Sequence, residues 1–460
     1  MTEKIHRILR DSKAARWAAL FIVSFTMFAG YFLADVMAPL QGMLEKELGW
    51  SASEYGFFTS AYGWFNVFLF FLIIGGIILD KMGVRFTGLM AAIVMVVGTA
   101  IKYWAISTHA LDGSILFGWN AQVMVAAIGY AIFGVGVEVA GITVTKIIVK
   151  WFKGYEIALA MGIQLAVARL GTALALSTSA PIAKAFGTVS MPVLICLIAL
   201  CIGLLAFFIY TIQDKKLDAS VRAANIANDT PAEEEFKTKD IFSILKNKGW
   251  WYIAILCVLF YSAVFPFLKY ATSLMVNKFG VDESIAGIIP GLLPFGNILL
   301  TPIFGGIYDK KGKGATIMII GAIILIIVHA LFAVPFLNHW LMAIVLIITL
   351  GIGFSLVPSA MWPSVPKIIP ERQLGTAYSL IFWVQNWGLM GVPALIGWVL
   401  DKYCITGQNM VDGQMVTSYN YTLPMLIFMS FGVLALVFAF LLKAEDKKKG
   451  YGLQLPNIKK

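Results

Sequence analysis

Charge is scarce in this sequence. Of 460 residues only 13% are Asp, Glu, Lys or Arg, whereas a soluble domain carries about 25%. With 60% hydrophobic residues and a mean hydropathy of +0.84, that scarcity excludes a soluble single-core protein and a disordered chain. Cysteine is scarcer still. Cys196, Cys201, Cys257 and Cys404 show no metal-ligand spacing, and three of them sit in apolar blocks where a thiol behaves as a small hydrophobe. A disulfide framework and a zinc site are therefore not expected. The sequence has no Walker loop, metal cluster or nucleophile–base arrangement, so nothing points to an enzyme or a cofactor. The ten-residue alternation of membrane barrels is missing too.

Apolar residues instead come in long blocks, which indicates helices crossing a membrane. At about 20 apolar residues per crossing, twelve spans are expected: 17–42, 54–79, 86–107, 120–149, 155–184, 190–212, 249–273, 283–307, 315–337, 339–366, 374–400 and 422–442. The first span shows no cleavage site and is read as a retained helix. The net charge of +10 marks cytoplasmic loops rather than nucleic-acid binding. With both termini inside, 28 of the 35 Lys and Arg fall on inner segments and 4 on outer loops. This bias supports twelve spans with cytoplasmic ends.

The polar stretch 213–248 contains the run Ala-Asn-Asp-Thr-Pro-Ala-Glu-Glu-Glu and reads as a flexible cytoplasmic linker. It divides the chain into halves 1–212 and 249–460. The halves repeat. Gly76-Ile-Ile-Leu-Asp80-Lys81-Met-Gly83-Val-Arg85 and Gly305-Gly-Ile-Tyr-Asp309-Lys310-Lys-Gly312-Lys313 share the pattern Gly-x-x-x-Asp-Lys-x-Gly in equivalent inner loops. At a constant offset of 217, Gly134, Gly136, Lys150 and Gly171 match Gly351, Gly353, Lys367 and Gly388. Parallel six-helix repeats of this kind relate the two halves of major facilitator transporters. The fold expected is thus all-α, with two pseudo-symmetric six-helix halves. The two loops resemble the signature loop of that superfamily. The resemblance implies gate residues Asp80 and Arg85, with Asp309 and Lys310 as a second copy. A solvated turn obeying the positive-inside rule is the plainer alternative.

Glu138 in span 4 and Arg169 in span 5 are charges placed where insertion costs roughly 2.5–3.5 kcal/mol each. Glu138 lies 14 residues before the turn near Phe152 and Arg169 lies 17 after it. At about 1.5 Å per residue, both stand on the order of 20–25 Å from that turn, at nearly one depth. Their counterparts at the repeat offset are the neutral Ser355 and Asn386. Three readings follow: a clamp for a zwitterion, with Arg gripping a carboxylate; a structural ion pair between spans 4 and 5; or a proton relay through Glu138. Asp35, Lys102 and Lys269 lie toward the outer ends of their spans, where lysines can snorkel to water. His329 reads as a packing residue. Tyr31, Tyr261, Trp362 and Trp383 are candidates for lining a cavity. Trp362 sits in Met-Trp-Pro-Ser-Val-Pro, and proline interruptions often border transport sites.

Further strings carry a closer resemblance: Trp151-Phe-Lys-Gly, Gly162-Ile-Gln-Leu-Ala-Val-Ala-Arg169-Leu-Gly171, Ala263-Val-Phe-Pro-Phe267, Trp362-Pro363, Gln373-Leu-Gly-Thr-Ala-Tyr378 and Gln385-Asn386-Trp-Gly388. In order and spacing they resemble the lysosomal dipeptide transporter family of the major facilitator superfamily, from span 1 to span 12. The resemblance implies dipeptide uniport by alternating access, with Glu138 and Arg169 binding the peptide termini and Asn386 nearby. The partners expected are a small zwitterion, protons if transport is coupled, and membrane lipid, on a monomer that binds no nucleic acid. The short N-terminal tail lacks the acidic, leucine-pair sorting segment of animal members. The expectation is therefore a bacterial homologue in the plasma (inner) membrane. A Glu-x-x-Glu-Arg motif in span 1, the mark of proton-coupled oligopeptide transporters, is not present. The alternatives are a small organic-anion carrier with Arg169 as the main anion site, and a membrane receptor that transports nothing.

Overall fold

A computed structural model describes residues 9–152, 155, 157–225, 239–370, 373–411 and 414–456. The acidic run 227–235 and the side chain of Asp80 lie outside the described residues.

Among the described residues, eleven helices are long and apolar enough to cross a membrane, and twelve when a bent pair is taken as one span. The bent pair is span 2: Ala52–Phe68 joins Phe71–Leu79 at 56°. The break falls at Phe70, whose φ of 55° is left-handed. Span 1 begins at Lys13–Asp35, capped by Ser12, and continues through a short helix, Gln41–Leu48, that stops at Gly49 in the left-handed region. Span 3 is Lys81–Ser107. Gly83, with φ 77° and ψ 173°, breaks the helix in the first turn of this segment, a conformation open to glycine. Spans 4, 5 and 6 are Ala121–Phe152, Ile157–Phe186 and Ser190–Asn225. Span 6 departs from expectation: its helix runs on to Asn225, so the first part of the stretch read as flexible linker is helical. A short helix, Lys239–Leu245, leads into span 7. Span 7 is Lys248–Ser262 plus Phe265–Phe279, interrupted just before Pro266. Proline donates no N–H to the helix ladder, which explains the interruption. Spans 8 to 12 are Ile288–Lys311, Gly314–Ala333, Trp340–Ile368, Leu374–Tyr403 and Thr422–Lys449.

Both described ends lie on one side, as an even number of crossings requires. The Leu9 amide donates to Ser220 Oγ at the end of span 6 (3.2 Å), and Gly314 N donates to Leu453 O (2.9 Å). We call this the terminal side and the opposite one the distal side. A hairpin on the distal side, Ile405–Val411 with Gln414–Tyr419, connects spans 11 and 12.

The two halves meet chiefly on the distal side. Span 2 packs on span 11 where Gly56 and Gly397 face each other. A Cβ on Gly56 would stand 2.9 Å from the Gly397 Cα and 2.7 Å from Pro393 O, so small residues let the backbones touch. Asp401 accepts from the Ala52 and Ser53 amides (3.0 and 2.6 Å) and adds a cross-half cap to span 2. Span 5 meets span 8 at Gly287, set against Leu176 O. Lys46 pairs with Glu283 at 2.5 Å, and the hairpin's Thr417 amide reaches Glu45 at 3.0 Å.

Candidate functional site

A cavity of about 240 Å³ lies between the halves. Spans 1, 2, 4 and 5 contribute Tyr31, Asp35, Tyr62, Tyr130, Glu138 and Arg169. Spans 7, 10 and 11 contribute Tyr261, Phe265, Lys269, Trp362, Phe382, Gln385 and Leu389. Two carboxylates and two cations therefore face one small space, whose other walls are aromatic and aliphatic apart from Thr59 and Gln385.

Those four charges are not arranged as two equivalent pairs. Asp35 and Lys269 pair at 2.7 Å, with their side chains 11% and 15% exposed. Lys269 Nζ also donates to Ala34 O at 2.5 Å and stands 3.5 Å from the Tyr130 hydroxyl. Glu138 and Arg169 do not pair with each other. The Tyr62 hydroxyl donates to Glu138 Oε1 at 2.7 Å. The Arg169 guanidinium carbon lies 5.2 Å from the Phe265 ring centre and 5.7 Å from those of Tyr31 and Phe354. At such distances ring faces attract the cation without using up its donors. Glu138 and Arg169 are thus an acceptor and a planar donor fork in one chamber, neither neutralised by the other. A bound molecule with both charges could satisfy them together.

The structure brings together five of the residues singled out for the site: Glu138, Arg169, Tyr31, Tyr261 and Trp362. The Trp362 indole N–H donates to the Tyr261 hydroxyl (3.1 Å), and its ring stacks on Phe382 with centroids 5.0 Å apart. Asn386 and Trp383 are not among the lining residues. Asn386 is 1% exposed, and its Nδ2 donates to Phe382 O within its own helix (3.0 Å). The Trp383 indole N–H donates to Val67 O (3.2 Å) while its ring stacks on Phe70, so it belongs to the seam between spans 2 and 11. Ser355, the repeat counterpart of Glu138, is buried and donates to Asn297 Oδ1 (2.6 Å).

The lysines correct the snorkelling expectation. Lys269 turns inward to Asp35 across the seam. Lys102 is fully buried, with Nζ 4.7 Å from the Tyr130 ring centre and 5.3 Å from that of Phe58. Partners of this kind lie in other spans and leave no trace in local hydropathy. His329 packs as expected: it is buried against Phe428, and Nε2 is 2.9 Å from Ala263 O. Tyr62, Gln385 and Phe265 were missed because none carries a charge that marks it in an apolar span.

At the terminal side, Arg85 reaches Asp218 at 3.0 Å and Asp214 at 3.8 Å, while Lys150 holds both at 2.7 Å. Asp214 also accepts from the Trp151 indole (3.0 Å) and the Tyr210 hydroxyl (2.9 Å). The Arg85 loop is thus tied into an ionic cluster within its own half. In the second copy, Asp309 is half-buried and Lys310 is exposed.

The family follows from a comparison with known proteins. Residues 20–393 match the family described as Major Facilitator Superfamily. The chain belongs to the major facilitator superfamily. It is accordingly a multi-pass membrane transporter rather than an enzyme, with the two-half fold of that superfamily. It is 29% identical over 417 residues to the lysosomal dipeptide transporter MFSD1 of Danio rerio, an alignment covering 86% of this chain and 81% of that one. It is 22% identical over 393 residues to the hexuronate transporter of Bacillus subtilis (strain 168), covering 83% and 88%. Among solved structures it resembles a bacterial homologue of the human lysosomal transporter Spinster, inward-facing and unoccupied. The TM-score is 0.70 at 14% identity, covering 95% of this chain and 98% of that one. At that identity the likeness speaks for the fold alone.

Proposed function

We propose that this transporter carries dipeptides or similarly small zwitterions by alternating access, with Glu138 receiving the substrate ammonium and Arg169 gripping its carboxylate. The observation that carries this reading is that both charges face one cavity and neither is paired with the other. A structural lock between spans 4 and 5 needs the opposite, a direct ion pair. The likeness to a lysosomal dipeptide transporter supports the same substrate class. Movement is by uniport, or coupled to protons through Glu138. The chain works as a monomer in a prokaryotic plasma membrane with both termini in the cytoplasm, where its basic segments belong. The terminal side is then the inner one, and the structure is closed outward. Asp80, Arg85, Asp309 and Lys310 serve the gate on the inner side.

The test is counterflow of a labelled dipeptide into liposomes holding the purified protein, with and without a pH gradient, beside Glu138→Gln and Arg169→Ala. Exchange in the wild type and its loss in both variants supports the clamp. Uptake driven by a pH gradient and abolished only in Glu138→Gln selects proton symport. A second reading, a small organic anion held mainly by Arg169, is favoured by the likeness to a hexuronate transporter. It requires that simple carboxylates compete as well as zwitterions do. Absence of flux with either class overturns both substrate readings.

A further inference from the structure

Span 11 presents two rows of side chains to two environments. Asn386, Met390 and Gly397 lie toward span 2: a Cβ on Gly63 would stand 3.1 Å from Asn386 O and 2.9 Å from Met390 Cβ, and Gly397 faces Gly56. Phe382, Gln385 and Leu389 line the cavity. The spacings of four and seven residues in the first row, and of three and four in the second, are those of one helix face. A single step along the helix turns a side chain by about 100°, which separates Gln385 from Asn386.

Gln385 is 6% exposed, and its Oε1 is buried with no hydrogen-bond partner. Buried side-chain oxygens are normally paired, and an orphan calls for an explanation. Spans 10 and 11 present Trp362, Phe382, Leu389 and Pro393 to the cavity beside it, and the polar groups of span 7, Tyr261 and Lys269, are engaged with Trp362 and Asp35, so the Gln385 Oε1 has no internal partner. The indole N–H of Trp362 is already given to Tyr261. The charges proposed to hold the substrate's two ends, Glu138 and Arg169, both come from the other half. What lies between the ends of a dipeptide is a peptide group, with one N–H donor and one C=O acceptor. A glutamine side chain is its complement, with one C=O acceptor and an NH₂ donor on the same plane.

Resting on the dipeptide reading, we infer that Gln385 is a specificity-determining residue that reads the peptide bond of the bound substrate. A turn of the carboxamide brings Oε1, buried in this structure, to accept the peptide N–H while Nε2 donates to the peptide carbonyl. Gln385 thereby couples the C-terminal half to a substrate whose ends are held by the N-terminal half. It also favours peptides over zwitterions of equal length that lack the amide.

The experiment compares alanyl-alanine with its ester isostere alanyl-lactate as competitors of labelled alanyl-alanine counterflow. The proteins are the wild type, Gln385→Met and Gln385→Glu, at equal reconstituted amounts. The ester keeps both charged ends and the carbonyl but has no N–H. One neutral hydrogen bond is worth roughly five- to tenfold in affinity. The wild type is expected to prefer the amide by about that factor. Gln385→Met is expected to bring the ratio close to one, and Gln385→Glu, which keeps an acceptor, to retain the preference. An amide-to-ester ratio unchanged in Gln385→Met overturns the role of Gln385 and leaves the dipeptide reading intact. Absence of alanyl-alanine exchange in the wild type overturns the dipeptide reading and this assignment with it.

Discussion

Asp35 of span 1 and Lys269 of span 7 are joined at 2.7 Å across the seam between the two halves, at the distal wall of the central cavity. The distal side cannot open without drawing these spans apart, so this ion pair belongs to the closed state. Breaking a buried pair by neutralising one partner is worth about 3–5 kcal/mol, because the other charge is left without compensation.

Asp35→Asn and Lys269→Met are therefore each expected to shift the population toward the distal-open form. Spin labels at His109, whose side chain is 97% exposed, and at Phe336, 81% exposed, report the opening as a longer distance between the halves. The exchanged pair Asp35→Lys with Lys269→Asp is expected to restore the short distance. Identical distance distributions in all variants would show that the pair does not hold the seam.

The glycine contact between spans 2 and 11 makes a separate prediction for the same closure. Gly56→Val places a branched side chain where even a Cβ stands 2.9 Å from Gly397 Cα. The helices must separate, and the label distance should lengthen without any change of charge. A closed distal side in Gly56→Val would remove this contact from the closing mechanism.

At the site, Glu138→Gln and Arg169→Ala are each expected to weaken zwitterion exchange by thirtyfold or more, from about 2–5 kcal/mol for losing one member of a desolvated charged contact. Tyr62→Phe removes only the hydroxyl that holds Glu138. Its effect should be smaller, roughly tenfold, the scale of one hydrogen bond to a charged group. Concentration dependence of counterflow gives the ordering. Equal losses in all three variants would mean that Tyr62 does more than position Glu138.

On the terminal side, Asp214 is fully buried and accepts from Lys150, Trp151 and Tyr210. Asp214→Ala is expected to destabilise the protein by about 3–5 kcal/mol. Lys310→Ala, at an exposed position, should stay within about 0.5 kcal/mol. Unfolding in detergent micelles followed by tryptophan fluorescence separates the two. Similar stabilities would mean that the cluster is not structural.

The crossings could be read from the sequence because the bilayer imposes a length on apolar blocks and a side on basic residues. The pairing of the halves could be read because duplicated strings kept their spacing. The depth of Glu138 and Arg169 followed from counting along a helical hairpin, since the rise per residue is fixed. The rotation of each helix about its axis was not legible. In spans that bury polar groups inside and meet lipid outside, the apolar pattern is nearly continuous, and no stripe of charge marks the inner face. Asn386 was therefore expected where Gln385 stands, and Trp383 was expected at the cavity although it packs in the seam.

The sequence by itself determined twelve helical crossings, two repeated halves and one pair of opposite charges at a common depth, because each depends on distances along the chain. Only the tertiary structure decided which of those charges are left unpaired. Asp35 found Lys269 across 234 residues of chain, while Glu138 took a tyrosine and Arg169 took aromatic rings. Partners chosen in three dimensions depend on how helices from the two halves turn toward one another, and a linear pattern does not record that rotation.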